Sequence, residues 1–176
     1  EIQASDWSSD VCSSDLCPPV YFQEDMNTLT IRQAVLTDLD ALAPLFDSYR
    51  QFYGQPSDIS AARAFLRARF EHGESFVFIA LDGDTPVGFT QLYPSFSSVS
   101  LARIFVLNDL FVHECARRKG VASKLLSAAT EFAQALGAVR VSLSTAISNE
   151  SAQALYQAAG WTRDEQFLVY HFPIPG

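Results

Sequence analysis

Basic residues are scarce in this sequence. Its 176 residues carry 12 Lys and Arg against 20 Asp and Glu, a formal net charge of −8. A nucleic-acid surface needs a basic stripe to neutralise phosphates, and this balance argues against one. Long apolar runs are missing too, since none approaches the roughly 18 uninterrupted residues of a membrane-spanning helix. The opening Glu1-Ile2-Gln3-Ala4-Ser5-Asp6 has neither the basic start nor the apolar stretch of a secretory signal. Cysteine is limited to Cys12, Cys17 and Cys115, an odd count without C-x-x-C spacing. Neither a disulfide framework nor a metal site follows from that pattern. A reducing, cytoplasmic setting without membrane or nucleic-acid partners is the expectation.

What is present is enough apolar material for one core: 48% of the residues are hydrophobic, in a chain of single-domain length. The acidity is not evenly spread. Residues 1–25 hold six acids (Glu1, Asp6, Asp10, Asp15, Glu24, Asp25) and no Lys or Arg, with neither helical nor strand period. On composition this leader is a disordered tail. Asp6 to Leu16 also resembles one reading frame of a common sequencing adapter, which would make the leader an artefact of sequence assembly. On either reading the domain is expected over 26–176, beginning near Met26, the one methionine. That span keeps all 12 basic residues and sheds six acids, so its net charge is only −2.

From Thr28 the pattern reads β-α-α-β-β-β-α-β-α-β. Thr28–Val35 alternates and is β-branched, as a first strand should be. Thr37-Asp38-Leu39-Asp40 resembles a capping box opening a helix whose Leu39, Leu42, Leu45, Phe46 and Tyr49 share a face. Gly54-Gln55-Pro56 breaks it, and Asp58 to His72 forms a second helix. Phe76–Leu81 and Pro86–Tyr93 flank the hairpin signal Asp82-Gly83-Asp84. Leu101–Val112 reads as a buried strand, Gly120–Gly137 as a helix, Val139–Ser144 as a short strand and Asn149–Ala159 as a helix. Trp161–Ile174 is expected to supply closing strands. Strands and helices alternate only in the second half, which implies a single α+β domain with a mixed sheet.

The chemistry concentrates in Leu107-Asn108-Asp109-Leu110-Phe111-Val112 and the turn after it, Arg117-Arg118-Lys119-Gly120-Val121-Ala122. There a buried strand ends in a basic, glycine-containing turn that opens a long helix. Such a turn aims backbone N–H groups and the positive end of the helix dipole at one point. Gly120 admits close backbone approach and Ala122 keeps the first turn small. This is a phosphate or pyrophosphate cradle. The G-x-x-x-x-G-K-[ST] and G-x-G-x-x-G loops are both absent.

Arg117-x-x-Gly120-x-Ala122 resembles the Q/R-x-x-G-x-G/A signature of GNAT (GCN5-related) N-acetyltransferases. Asn149-Glu-Ser-Ala-Gln-Ala-Leu-Tyr156-Gln-Ala-Ala-Gly-Trp161 resembles that family's N-x-x-A-x-x-L-Y-x-x-x-G-F/W element. The likeness runs from about Thr28 to Ile174, nearest to the diamine and histone/polyamine members. It implies a mostly antiparallel mixed sheet flanked by helices, with a bulge that splays the strand pair Leu107–Val112 and Val139–Ser144. It also implies acetyl-CoA as co-substrate, held by Leu110, Phe111, Val112, Arg117 to Ala122, Asn149 and Tyr156. Tyr156 would be the general acid for the CoA thiolate, an N–H near Leu110 would polarise the carbonyl, and Asp109, or a water held by it and Asn108, would take the amine proton.

Related enzymes border the acceptor site with the region around Tyr49, Phe52 and Tyr53, and Asn108 stands beside Asp109. Diamine acetyltransferases commonly have Glu-Asp where this chain has Asn108-Asp109, which weakens a polyamine assignment. Plainer readings stand beside these. Tyr156 can be a core tyrosine, Asn149 an N-cap, and Asp109 a carboxylate satisfied by backbone donors. Tyr49, Phe52 and Tyr53 can be core, and Arg117 to Lys119 a solvated cluster. Cys115 near His113 has no third group to orient a nucleophile. The expected acceptor is a small primary amine or diamine. The alternatives are a protein lysine or N-terminus, or a non-catalytic acyl-CoA sensor. Phe167–Phe172 closes the sheet or forms a homodimer surface.

Overall fold

The computed structural model describes residues 29–174. The expected leader, Cys12, Cys17 and Met26 lie outside the described residues. Two compact units are present, 29–144 and 145–174.

The larger unit is built on a five-stranded sheet in the order β1-β2-β3-β4-β5. The strands are β1 (Leu29–Gln33), β2 (Phe76–Asp82), β3 (Thr85–Ser97), β4 (Ala102–Val112) and β5 (Arg140–Ser142). β1 to β4 are antiparallel neighbours, and β5 joins β4 in parallel. This is the mixed, mostly antiparallel sheet expected. Helix α1 (Leu39–Phe52) and helix α2 (Ile59–His72) cover one face, packing Leu42, Leu45, Phe46 and Leu66 on Val77, Ile79, Phe89 and Phe111. Helix α3 (Val121–Ala135) covers the other, where Phe132 packs against Phe76, Phe78 and Phe105 at ring separations of 4.8–5.9 Å. With both faces covered, the central strands are apolar on both sides rather than alternating. A buried Phe contributes roughly 1.5–3 kcal/mol of this burial.

The start of α1 departs from the expected capping box. A 3-10 turn, Leu36–Asp38, precedes the helix, and the Asp38 side chain reaches back to accept the Val35 N–H at 2.8 Å. Arg32 grips the same carboxylate through both terminal nitrogens at 2.7 Å, which draws Asp38 off the helix and leaves Thr37 inside the turn. Asp40, expected in the box, pairs with Arg63 of α2. The second helix begins as expected, with Asp58 accepting from Ala61 N at 2.8 Å.

In the smaller unit, helix α4 (Glu150–Ala158) forms as expected. The closing strands do not: residues 161–174 contain no strand. Phe167, Leu168, Val169, Tyr170, Phe172 and Ile174 have strand propensity but are 73–85% exposed. Propensity in a strand reports packing against neighbours, and without a paired neighbour it makes no ladder.

Candidate active site

One extra residue in β4 sets the geometry. Gln91 pairs with Asp109 and Leu92 with Leu107, so Asn108 is a bulge with no partner on β3. An inserted residue inverts the alternation that follows it. Phe105, before the bulge, faces Phe132 of α3. Phe111, six residues on, faces Tyr49 of α1. The bulge thereby turns Asp109 to the α1 side while Asn108 stays exposed. On the opposite edge, β5 pairs with β4 only over Ile104, Phe105 and Val106, and stops just short of the bulge. The β4–β5 ladder thus does not extend alongside the bulge.

Asp109 is 4% exposed. Burial pushes its carboxyl above the ordinary carboxylate range, opposed by hydrogen bonds from the Tyr49 hydroxyl and the Asn108 amide. The Asn108 Nδ2 to Asp109 Oδ1 distance is 3.1 Å. Both of these donors are side chains. Tyr49 and Tyr53, one helical turn apart, meet edge to face at 5.1 Å. Burial raises the Tyr53 phenol, and the Asp109 charge raises it further.

Two neighbours escaped the sequence reading. Tyr93 on β3 is half-buried, and burial with the Asp109 charge pushes its phenol up to about 12. Gln91, fully buried, donates from Nε2 to Ser75 Oγ at 2.7 Å, while its Oε1 has no hydrogen-bond donor among the described residues. The available signal was Thr90-Gln91, a polar pair inside an apolar strand.

Phe52 points elsewhere, into a cleft of about 260 Å³ that it shares with Ser48, Gln51, Phe111, His113, Glu114 and Arg117. Leu110 pairs with Thr90, and Val112 with Gly88. A side chain at position 88 would press its Cβ to 2.7 Å from the Phe111 carbonyl oxygen, so glycine is needed for this close strand approach.

Beyond Val112 the chain turns through Glu114–Ala116 into the loop before α3. Arg118 (φ 61°) and Gly120 (φ 76°) are both left-handed. Alternating handedness of this kind curls successive N–H groups around a concavity suited to anions. Gly120 is the N-cap of α3 and has no side chain with which to cap it. Arg118 and Lys119 are exposed, whereas Arg117 folds back to donate to the Val112 carbonyl at 3.2 Å, with Glu114 alongside. The first turn of α3 thus fits a pyrophosphate.

The family model of the Acetyltransferase (GNAT) family matches residues 42–161. The chain belongs to the GNAT family. Among relatives of this GNAT chain, the uncharacterized N-acetyltransferase YhfO of Bacillus subtilis is 48% identical over 84% of the chain and 99% of its own length. A crystal structure of a probable acetyltransferase superposes with a TM-score of 0.80 at 46% identity, covering 84% of this chain and 99% of the other. An aminoglycoside N-acetyltransferase, AAC(6')-Iy, solved in complex with CoA, shares the fold at a TM-score of 0.69 and 23% identity, covering 83% of this chain and 95% of the other. The chain is an acetyl-transferring enzyme of the N-acetyltransferase type.

In the 145–174 unit of this GNAT domain, Asn149 is the N-cap of α4, its Oδ1 accepting from Ala152 N at 3.1 Å. The expected capping role is met, and the amide nitrogen keeps its donors. Tyr156 is half-buried, its ring 6.2 Å from Trp161. His113 Nδ1 and Cys115 Sγ lie 3.1 Å apart on the exposed turn. Among the described residues there is no His, Cys, Asp or Glu cluster fit to hold a metal, and no helix is long and apolar enough to cross a membrane.

Proposed function

We propose that this enzyme transfers acetyl from acetyl-CoA to a small primary amine by direct attack in a ternary complex. The observation that carries the reading is the Asn108 bulge. It turns a buried carboxylate toward the aromatic face of α1, and β5 pairing ends just before it. An extended amide-bearing arm suits that unpaired stretch of strand. The uncapped start of α3 with Arg118 and Lys119 suits the pyrophosphate. The CoA complex of AAC(6')-Iy supports the same ligand class here.

In this reading Asp109 takes a proton from the incoming ammonium, so an N–H bond breaks and a carboxyl O–H forms. The nitrogen then bonds to the acetyl carbon and the C–S bond breaks. Tyr156, assigned from its place in the family motif, gives the sulfur a proton and recovers one from the nitrogen. One proton leaves to water.

The test is thiol release from acetyl-CoA with a panel of amines. Asp109→Asn is expected to lower kcat/KM about 10²- to 10⁴-fold, and Tyr156→Phe to lower kcat about 10²-fold with loss of the alkaline limb of the pH profile. CoA binding without amine-dependent thiol release overturns the enzyme mechanism. Unchanged turnover of Tyr156→Phe across pH overturns the acid assignment. The apolar row Phe167 to Tyr170 favours a homodimer, which light scattering reads directly, a monomer mass at every concentration overturning it.

A further inference from the structure

The polar groups around Asp109 are matched to one kind of acceptor. Tyr49 and Tyr53 come from α1, and their rings meet at 5.1 Å. Gln91 lies directly across from Asp109, and Tyr93 follows two residues later on the same face of β3. The wall is thus phenol on both sides of a buried carboxylate. Asp109 accepts from Tyr49 and Asn108, and a carboxylate has lone pairs for more, while the buried Gln91 Oε1 has no donor among the described residues. Both atoms short of donors are acceptors, and leaving such groups unmet is costly.

We propose that Tyr53 and Tyr93, with Tyr49 and Asp109, form an aromatic acceptor subsite that selects primary alkylammonium ions and rejects α-amino acids. The inference rests on the amine-acetyltransferase reading above and adds the substrate class. An ammonium brings three donors and a charge that tyrosine faces attract. The charges that act on Tyr93 are Asp109 and Glu74, both negative, and Arg69. Arg69 is already paired to Glu74 through its Nε. Among the described residues, Arg69 is the cation that acts on Tyr93, and its charge is already offset by Glu74 before any carboxylate next to the amine could claim it. The Asp109 charge also raises both Tyr53 and Tyr93, so the phenols stay neutral at working pH and do not compete with the carboxylate.

The test compares pentylamine with norleucine, which differs from it by one α-carboxylate. The carboxylate lowers the basicity of the amine, so more norleucine is present as the neutral nucleophile, and intrinsic availability runs against the expected result. The wild-type enzyme is expected to favour pentylamine by about 10²-fold in kcat/KM. Tyr93→Leu is expected to raise the KM for pentylamine about 10-fold and leave the KM for acetyl-CoA unchanged, with a smaller rise in Tyr93→Phe, which keeps the ring. Should Tyr93→Leu not fold, Tyr53→Leu at a half-exposed position carries the same test. Norleucine acetylated as well as pentylamine, or an unchanged pentylamine KM in the Leu variant, overturns this inference and leaves acetyl transfer standing. No turnover of either amine, with CoA still stabilising the protein against heat, overturns both.

Discussion

Asp109 keeps a charge where solvent does not reach, and this has two opposed consequences. Its folded pKa lies above the unfolded value of about 3.9, so the folded state holds the proton more tightly. Stability contributed by that protonation is present at low pH and is lost as pH rises through the folded pKa. At neutral pH the buried carboxylate is a net cost. Asp109→Asn is therefore expected to raise the melting temperature by a few degrees, on the order of 1 kcal/mol, in the same variant that loses activity. A lower melting temperature in a scan at pH 7 would refute this account. A role for Asp109 was legible only through the family resemblance, within a strand that leads to a basic turn. Tyr93 was not, because one tyrosine closing a strand carries no periodic signal, and only the fold brings it within reach of β4.

At the scale of elements, β4 shows why the bulge escaped direct reading. Leu107–Val112 is apolar apart from the adjacent pair Asn108-Asp109, because helices cover both faces, so no polar alternation exists whose break would reveal an extra residue. The expectation of splaying came only by resemblance. The α3 entry was legible from the residues themselves, because a glycine after three cations has few other uses. Deleting Asn108 joins the Gln91–Asp109 and Leu92–Leu107 pairs into a continuous ladder in which Asp109 keeps its face, so what is removed is the unpaired backbone of the bulge and the Asn108 amide that donates to Asp109. The deletion variant is expected to fold, to melt at or above the wild-type temperature, and to lose at least about 10²-fold in kcat/KM. Retained activity in a folded deletion would remove the bulge from the mechanism. Gly120→Ala tests the other element. A Cβ meets nothing within 4 Å there, so the cost, about 1 kcal/mol, is that of the left-handed backbone alone. The KM for acetyl-CoA is expected to rise while that for the amine holds.

Across the larger unit, the acceptor face depends on how the α1–α2 turn is fastened. Asp47 is 2% exposed, and its carboxylate accepts from Ser57 Oγ at 2.7 Å, Asp58 N at 2.8 Å, Gln51 Nε2 at 2.9 Å and Arg50 Nη1 at 3.3 Å. The Ser57 hydroxyl first, then the Asp58 amide, Gln51 and Arg50, outweigh burial and hold it below the ordinary carboxylate range. A depressed carboxylate contributes stability above its unfolded pKa of about 3.9 and loses it as pH falls through the folded value. Asp47→Asn is expected to cost about 2 kcal/mol at pH 7, with the gap to wild type closing below about pH 4. Urea unfolding over a pH series reads this, and a gap as wide at pH 3 as at pH 7 would contradict the latch. Because Tyr49 and Tyr53 follow Asp47 on the same helix, the loosened turn should also raise the KM for the amine and spare that for acetyl-CoA. Equal rises in both constants would mean that the latch supports the whole unit rather than its acceptor face.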